Sequence, residues 1–275
     1  RLLYMLQHTI AAQATNWSNS TILSDYQEDI GYDANGNILK YLRNGTTQGS
    51  HPLGMDSLHY IYNAKSNQLN AIKDSVPSGN YSTDLDNQSA NNYAYDSTGN
   101  LIKDNAAGIS DITWTVYGKP REVTKSGSTI TFSYDAGGNR IIKDVTGTGG
   151  GKQYYIRDAQ GNILAVYSYN GTTLKWSEQD LYGSSRLGTW DWNNPIPSRV
   201  MQPESSTDTL SDWYLVGTRS YELDNHLGNV VSVITDKKIG VSSDDATVDH
   251  YRAEVLSQQD YYPFGMEEPY RQYTI

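Results

Sequence analysis

The chain has 275 residues and a formal net charge of -10. That balance argues against a phosphate-binding surface and nucleic-acid partners, since nucleic-acid affinity rests on Lys and Arg neutralising phosphates. The absence of cysteine excludes disulfide frameworks, Cys-ligated zinc, Fe-S clusters and cysteine nucleophiles. Tyr supplies 23 residues and Phe only 2, a bias toward rings that pack on one side and hydrogen-bond on the other. No stretch approaches the roughly 20 apolar residues that span a bilayer. The most apolar run, Ile163 to Tyr169, is strand-sized.

In chain order, Arg1, the apolar Leu2 to Leu6 and Ala12-Gln13-Ala14 faintly imitate a signal peptide. Gln7 and His8 interrupt that run, which favours an ordinary strand. A start at Arg without Met suggests a piece of a longer chain, with residues 1–30 as preceding strands of an array. From residue 31 one phrase recurs, Tyr-Asp-x-x-Gly-Asn followed by apolar residues. Full copies open at Tyr32, Tyr95 and Tyr134, placing Asp33, Gly36 and Asn37, then Asp96, Gly99 and Asn100, then Asp135, Gly138 and Asn139 at equivalent positions. Asp158, Gly161 and Asn162 form a copy that lacks only the Tyr. Tyr62 to Asn67 is degenerate, and Asn225 to Val230 keeps the second half, with Gly228 and Asn229.

Asp and Asn side chains bond neighbouring backbone amides, and Gly supplies a positive φ, so the phrase reads as a hairpin corner. Flanking residues alternate as strands do: Ile112, Trp114 and Val116; Ile130, Phe132 and Tyr134; Leu58, Tyr60 and Tyr62; Val231, Val233 and Thr235. Copies about 20 to 40 residues apart read as successive strand pairs added to one sheet. Two stretches break the rhythm: residues 75–91, a polar surface loop, and 193–211, a Pro-rich loop insertion. The implied organisation is a repeat array over 31–192, the insertion, and a final segment over 212–275.

The repeated phrase resembles the YD-repeat, or RHS-repeat, family. Leu181 to Gly188, Tyr221 to Val230 and Tyr261-Tyr262-Pro263-Phe264-Gly265-Met266 are similar to the RHS repeat-associated core of the Bacteroidota type. The resemblance covers about residues 30 to 268. It implies an all-β fold, a spiralling antiparallel sheet of hairpins forming part of a hollow shell, or β cocoon. In toxin-bearing members of this polymorphic-toxin class the cocoon encloses a variable C-terminal effector. Some members cleave themselves after the core in an Asp-Pro segment; no such segment occurs before Ile275, so self-cleavage is not assigned.

Catalytic candidates are weak. His8, His51, His59, His226 and His250 show no two-His ligand spacing, and the calcium-loop-like run from Asp33 has Asn44 at the twelfth position, where a Glu is required. Gly183 to Gly188 lacks the spacing of a nucleophile elbow. Asp244-Asp245 and Glu267-Glu268 read as solvated edges. No catalytic residue, metal ligand or cofactor is therefore assigned, and an independent hydrolase is disfavoured. Trp176, Trp190, Trp192 and Trp213 form a candidate ligand surface, although plain packing is the favoured reading, because half of each strand in a shell must face something. The Asp-Ser/Thr-apolar triplets at Asp56, Asp74 and Asp208 are similar to an O-glycosylation signal of exported Bacteroidota proteins.

Two functions from different classes follow. The first is a non-catalytic shell segment of a large exported bacterial protein, a container or surface scaffold, outside the cell or on its surface. Its partners would be the remainder of its own chain, an enclosed C-terminal effector and the secretion machinery. The alternative is an adhesin-like module whose Trp-rich surface binds glycans or a protein.

Overall fold

The computed structural model describes residues 1–8, 22–147, 149–190, 217–244 and 246–275. The fold is all-β and antiparallel, with no α-helix among the described residues. No helix among them is long and apolar enough to cross a membrane. Trp192, Trp213, Asp208 and the 193–211 insertion lie outside the described residues.

The chain forms two compact units. The first comprises residues 1–127 with 262–270, the second residues 128–261 with 271–275. In the first, β1 (Tyr4–His8), β2 (Ile22–Tyr32), β3 (Ile38–Asn44), β4 (Gly54–Tyr62) and β5 (Leu69–Asp74) make one sheet in chain order. Strands β6 (Tyr93–Tyr95), β7 (Leu101–Asp104), β8 (Ile109–Trp114) and β9 (Pro120–Lys125) also pair in order. In the second unit β10 (Ser128–Tyr134), β11 (Arg140–Thr146), β12 (Gly151–Arg157), β13 (Ile163–Tyr169) and β14 (Leu174–Tyr182) are followed by β15 (Arg186–Trp190), β16 (Arg219–Asp224), β17 (Val230–Val241) and β18 (His250–Tyr261). Each pairs with the next. Glu267–Thr274 is the last strand, β19.

Burial differs between the units. The first holds two apolar clusters, Tyr26, Met55, Tyr81 and Tyr262 in one and Ile30, Tyr41, Leu58 and Ile72 in the other. In the second, Ala165 and Val166 are the buried apolar side chains among the described residues, beside polar Asp180, Thr218, Ser232 and Thr235. Its strands are mostly half-buried, the condition for which a Tyr-rich composition suits a sheet.

Every hairpin built on the repeated phrase carries one extra residue in its second strand. Tyr32 pairs with Ile38 but Gly31 with Lys40, leaving Leu39 unpaired. Ile102, Ile141, Leu164 and Val231 are skipped in the same way. Such a bulge moves the following side chains to the opposite face. In the alternating series Val231, Val233, Thr235, Val231 is the bulged residue; Thr235 is buried, Val231 and Val233 are half-buried, and Ser232 between them is buried. Val116 also leaves its expected strand, since β8 ends at Trp114 and Val116 is 92% exposed at the tip of a turn.

Residues 75–91 are more than a surface loop. Tyr81 is buried, donating its hydroxyl to the Pro52 carbonyl at 2.6 Å and accepting the Thr46 amide at 3.0 Å. Gln88 is buried as well; its Oε1 accepts the Ile72 amide at 2.9 Å and its Nε2 donates to the Tyr93 hydroxyl at 2.9 Å.

Candidate functional site

The recurrent unit is a turn, its geometry set by five residues. At Asp33 to Asn37 the Asp33 amide donates to the Asn37 carbonyl at 2.9 Å and the Gly36 amide to the Asp33 carbonyl at 3.2 Å. The Asp33 carboxylate accepts the Asn37 amide through Oδ1 and the Asn37 side chain through Oδ2, both at 2.8 Å. Gly36 sits at φ 95°, the left-handed position of a type I turn closed by a bulge. Asp96 with Asn100, Asp135 with Asn139 and Asp158 with Asn162 repeat all four bonds. Asn225 holds the Asn229 amide at 3.0 Å. Gly99, Gly138, Gly161 and Gly228 share the positive φ.

The structure also contains turns with the same backbone bonds that lack the phrase. Thr115 to Lys119 closes through the Lys119 carbonyl at 2.8 Å, with the Thr115 hydroxyl standing in for the carboxylate. Tyr262 to Met266 closes likewise at 2.8 Å.

The Tyr that opens the phrase has a separate task. At Tyr62 and Tyr95 its hydroxyl donates to the preceding hairpin, at the carbonyl just before the bulged residue: Tyr62 to Ile38 at 2.8 Å and Tyr95 to Leu69 at 3.1 Å. Trp114 Nε1 fills this role toward Leu101 at 2.8 Å. In the second unit Arg157 Nε donates to Arg140 at 3.0 Å, Tyr182 to Ile163 at 2.9 Å and Tyr261 to Val230 at 2.9 Å. A bulge disrupts the regular ladder, and a long side chain ending in a donor satisfies the displaced carbonyl. Six hairpins are thus latched to their predecessors. Tyr95→Phe, which keeps the ring and removes the donor, is expected to cost about 0.5–1.5 kcal/mol in urea unfolding; no change would mean that the Leu69 carbonyl needs no partner.

The turn carboxyls titrate low. Thr98 and Asn100 side chains, followed by their amides, hold Asp96 at about 2, below its usual 3.8. Bonds from Asn37, Asn139 and Asn162 lower Asp33, Asp135 and Asp158. A carboxyl lowered on folding contributes stability in full above its unfolded pKa and loses it as pH falls through the folded one. The urea midpoint should therefore drop between about pH 4 and 2, and Asp96→Asn should flatten that drop. An unchanged slope in the variant would remove Asp96 as a contributor.

Inside the first unit lies a buried polar cluster that sequence patterning did not single out. Arg43 binds Asp56 Oδ2 through Nε at 2.7 Å and through its terminal nitrogen at 2.6 Å. Its guanidinium lies 5.4 Å from the Tyr41 ring centre and 5.2 Å from that of Tyr262. Fully buried Glu28 accepts the Tyr41 hydroxyl through Oε1, while Oε2 has no hydrogen-bond partner. Burial pushes the Glu28 carboxyl up, against the opposing pull of Tyr41 and Arg43. One carboxylate oxygen from each of Asp56, Asp74 and Asp84 lies within 4.8 Å of the others.

Of the ligand-surface candidates, Trp176 stacks on Tyr167 at 6.0 Å and 15°, donating its ring N–H to the Glu178 carbonyl at 3.1 Å. Trp190 lies beneath the Arg219 guanidinium at 4.9 Å and donates to the Thr218 hydroxyl at 3.1 Å. Both are half-buried and engaged with neighbouring strands. Asp244 is a loop cap, accepting the Ala246 and Thr247 amides at 2.9 and 2.8 Å.

No family model matches the chain, and no curated protein matches it. Among solved structures it is similar to TcdB2-TccC3 without its hypervariable C-terminal region, at 13% identity and a TM-score of 0.45, over 90% of this chain and 12% of that one. It is similar to TcdB2-TccC3 at 14% identity and a TM-score of 0.35, over 98% of this chain and 15% of the other. For a Photorhabdus luminescens Tc holotoxin pore the values are 14% and 0.26, over 96% of this chain and 19% of the other. The chain thus spans a small fraction of the length of the proteins it matches.

Proposed function

We propose that this chain is a YD-repeat (RHS) segment of the Bacteroidota type, a non-catalytic length of shell wall in a larger exported bacterial protein that contains a C-terminal effector. The observation that carries the reading is the latch: successive hairpins bond to their predecessors through one repeated side-chain position. A structure whose side-chain bonds are spent on joining neighbours is built to extend a surface. The turn acids are likewise occupied in closing turns, and the sequence resemblance supplies the container role.

The test uses the natural chain in its producing cell. Antibody against this segment should detect it in culture medium or on intact cells, and the effector part should resist added protease until denaturant opens the wall. Detection in the cytosol alone would overturn export. An effector cut equally fast with and without denaturant would overturn containment and leave a surface scaffold.

A further inference from the structure

The carboxylates of Asp56, Asp74 and Asp84 are held by different parts of the first unit: β4, the end of β5 and the segment that follows it. Asp74 is 5% exposed, and its Oδ1 is committed to the Ser57 amide at 2.8 Å and the Val76 amide at 3.1 Å. Its Oδ2 is buried with no hydrogen-bond partner, as is Oδ2 of Asp84. Asp56 Oδ1 accepts the Leu85 amide at 3.2 Å, drawing the Asp84 segment toward the strands. A buried carboxylate oxygen without a donor is costly, and two beside a third carboxylate are costlier through mutual repulsion.

Charge accounting points to what would relieve this. The Arg43 guanidinium neutralises Asp56, and the Lys73 amine is bound to the Gln88 carbonyl. Asp74 and Asp84 then leave two negative charges. The three donors are all carboxylate oxygens, with neither nitrogen nor sulfur among them, a set that suits a hard cation. Calcium holds oxygens at about 2.3–2.6 Å, so oxygens on opposite sides of one ion stand about 4.6–5.2 Å apart. The 4.8 Å ceiling among these three atoms fits a single ion of that size.

We propose that Asp56, Asp74 and Asp84 form a binding site for one calcium-class divalent cation, which ties the segment after β5 to strands β4 and β5. Asp74 is the fixed ligand, oriented by two amides, and Asp84 is the ligand delivered by the loop. Water completes the shell. The site is independent of the shell reading, because it concerns how one unit is held together and not what the wall encloses.

The test takes the 275-residue chain stripped with EDTA and titrates it with calcium chloride by calorimetry, with urea unfolding in calcium and in EDTA. Binding should saturate at one ion per chain. At free calcium 100-fold above the dissociation constant, the folded-to-unfolded ratio should rise about 100-fold. Asp84→Asn should lose both the binding heat and the calcium-dependent gain, while Asp86→Asn, exposed two residues away, should keep both. Equal stability of the native chain in calcium and EDTA would overturn the proposal, and that comparison decides even if Asp84→Asn fails to fold. Full calcium binding by folded Asp84→Asn would also overturn it. So would a chain indifferent to calcium but more stable at pH 5 than at pH 7, since a shared proton would then balance the carboxylates.

Discussion

Arg43→Met is expected to destabilise the first unit by about 3–5 kcal/mol, the usual cost of removing one partner of a buried ion pair. Asp56 is 0% exposed and would keep its charge with one amide, from Leu85, as its hydrogen-bond donor. Fully buried Glu28 would also lose the nearest cation opposing its burial. The loss therefore exceeds the bonds deleted, because unpaired charge remains inside. Arg43→Met combined with Asp56→Asn separates the causes: Asn keeps an acceptor for Leu85 and carries no charge. The double variant should recover at least half of the lost stability in urea unfolding, since neutral replacements of buried pairs are commonly tolerated. A double variant no better than Arg43→Met would assign the loss to packing of the Arg43 stem.

Tyr262→Ala is expected to cost about 3–5 kcal/mol, in the range for deleting a buried aromatic ring. The ring is 0% exposed and packs in the cluster with Tyr26, Met55 and Tyr81. Its centroid lies 6.2 Å from that of Tyr26, and the hydroxyl donates to the Asn44 carbonyl. Tyr262→Phe keeps the ring and removes that buried hydrogen bond, so about 0.5–1.5 kcal/mol is expected. The ratio of the two losses in urea unfolding is the informative number. A Tyr262→Ala loss below about 1 kcal/mol would mean that the site relaxes around the void, and residues 262–270 would then not anchor this core.

Hairpin positions were legible because their chemistry is local. Asp96 and Asn100 carry their whole turn within five residues, so pattern and structure coincide there. The Thr115 to Lys119 turn escaped notice because the backbone needs only Gly118 in the left-handed region and a short acceptor at the first position, which a threonine hydroxyl supplies. The role of the opening Tyr was hidden because its partner lies 24 residues away for Tyr62 and 26 for Tyr95. Once the partner is known, Trp114 and Arg157 fall into place as donors of equal reach. Buried Glu28, Arg43 and Asp56 gave no warning, since a charged residue on a strand ordinarily marks the wet face. The extra residue just past the turn at Val231 was also invisible, because plain alternation has no sign for an inserted residue.

The latch also has a direction. In all six instances the donor belongs to the later hairpin and the acceptor to the earlier one. A chain emerging amino-end first from a ribosome or a translocation pore would find each acceptor already made when its donor arrives. Sequence-local closure of this kind carries little loop entropy, which favours quick pairing and leaves few strand edges waiting. Assembly could then proceed as a zip fastener does, each tooth seated against the one before, and a defect such as the loss of the Tyr95 hydroxyl would halt at its own tooth.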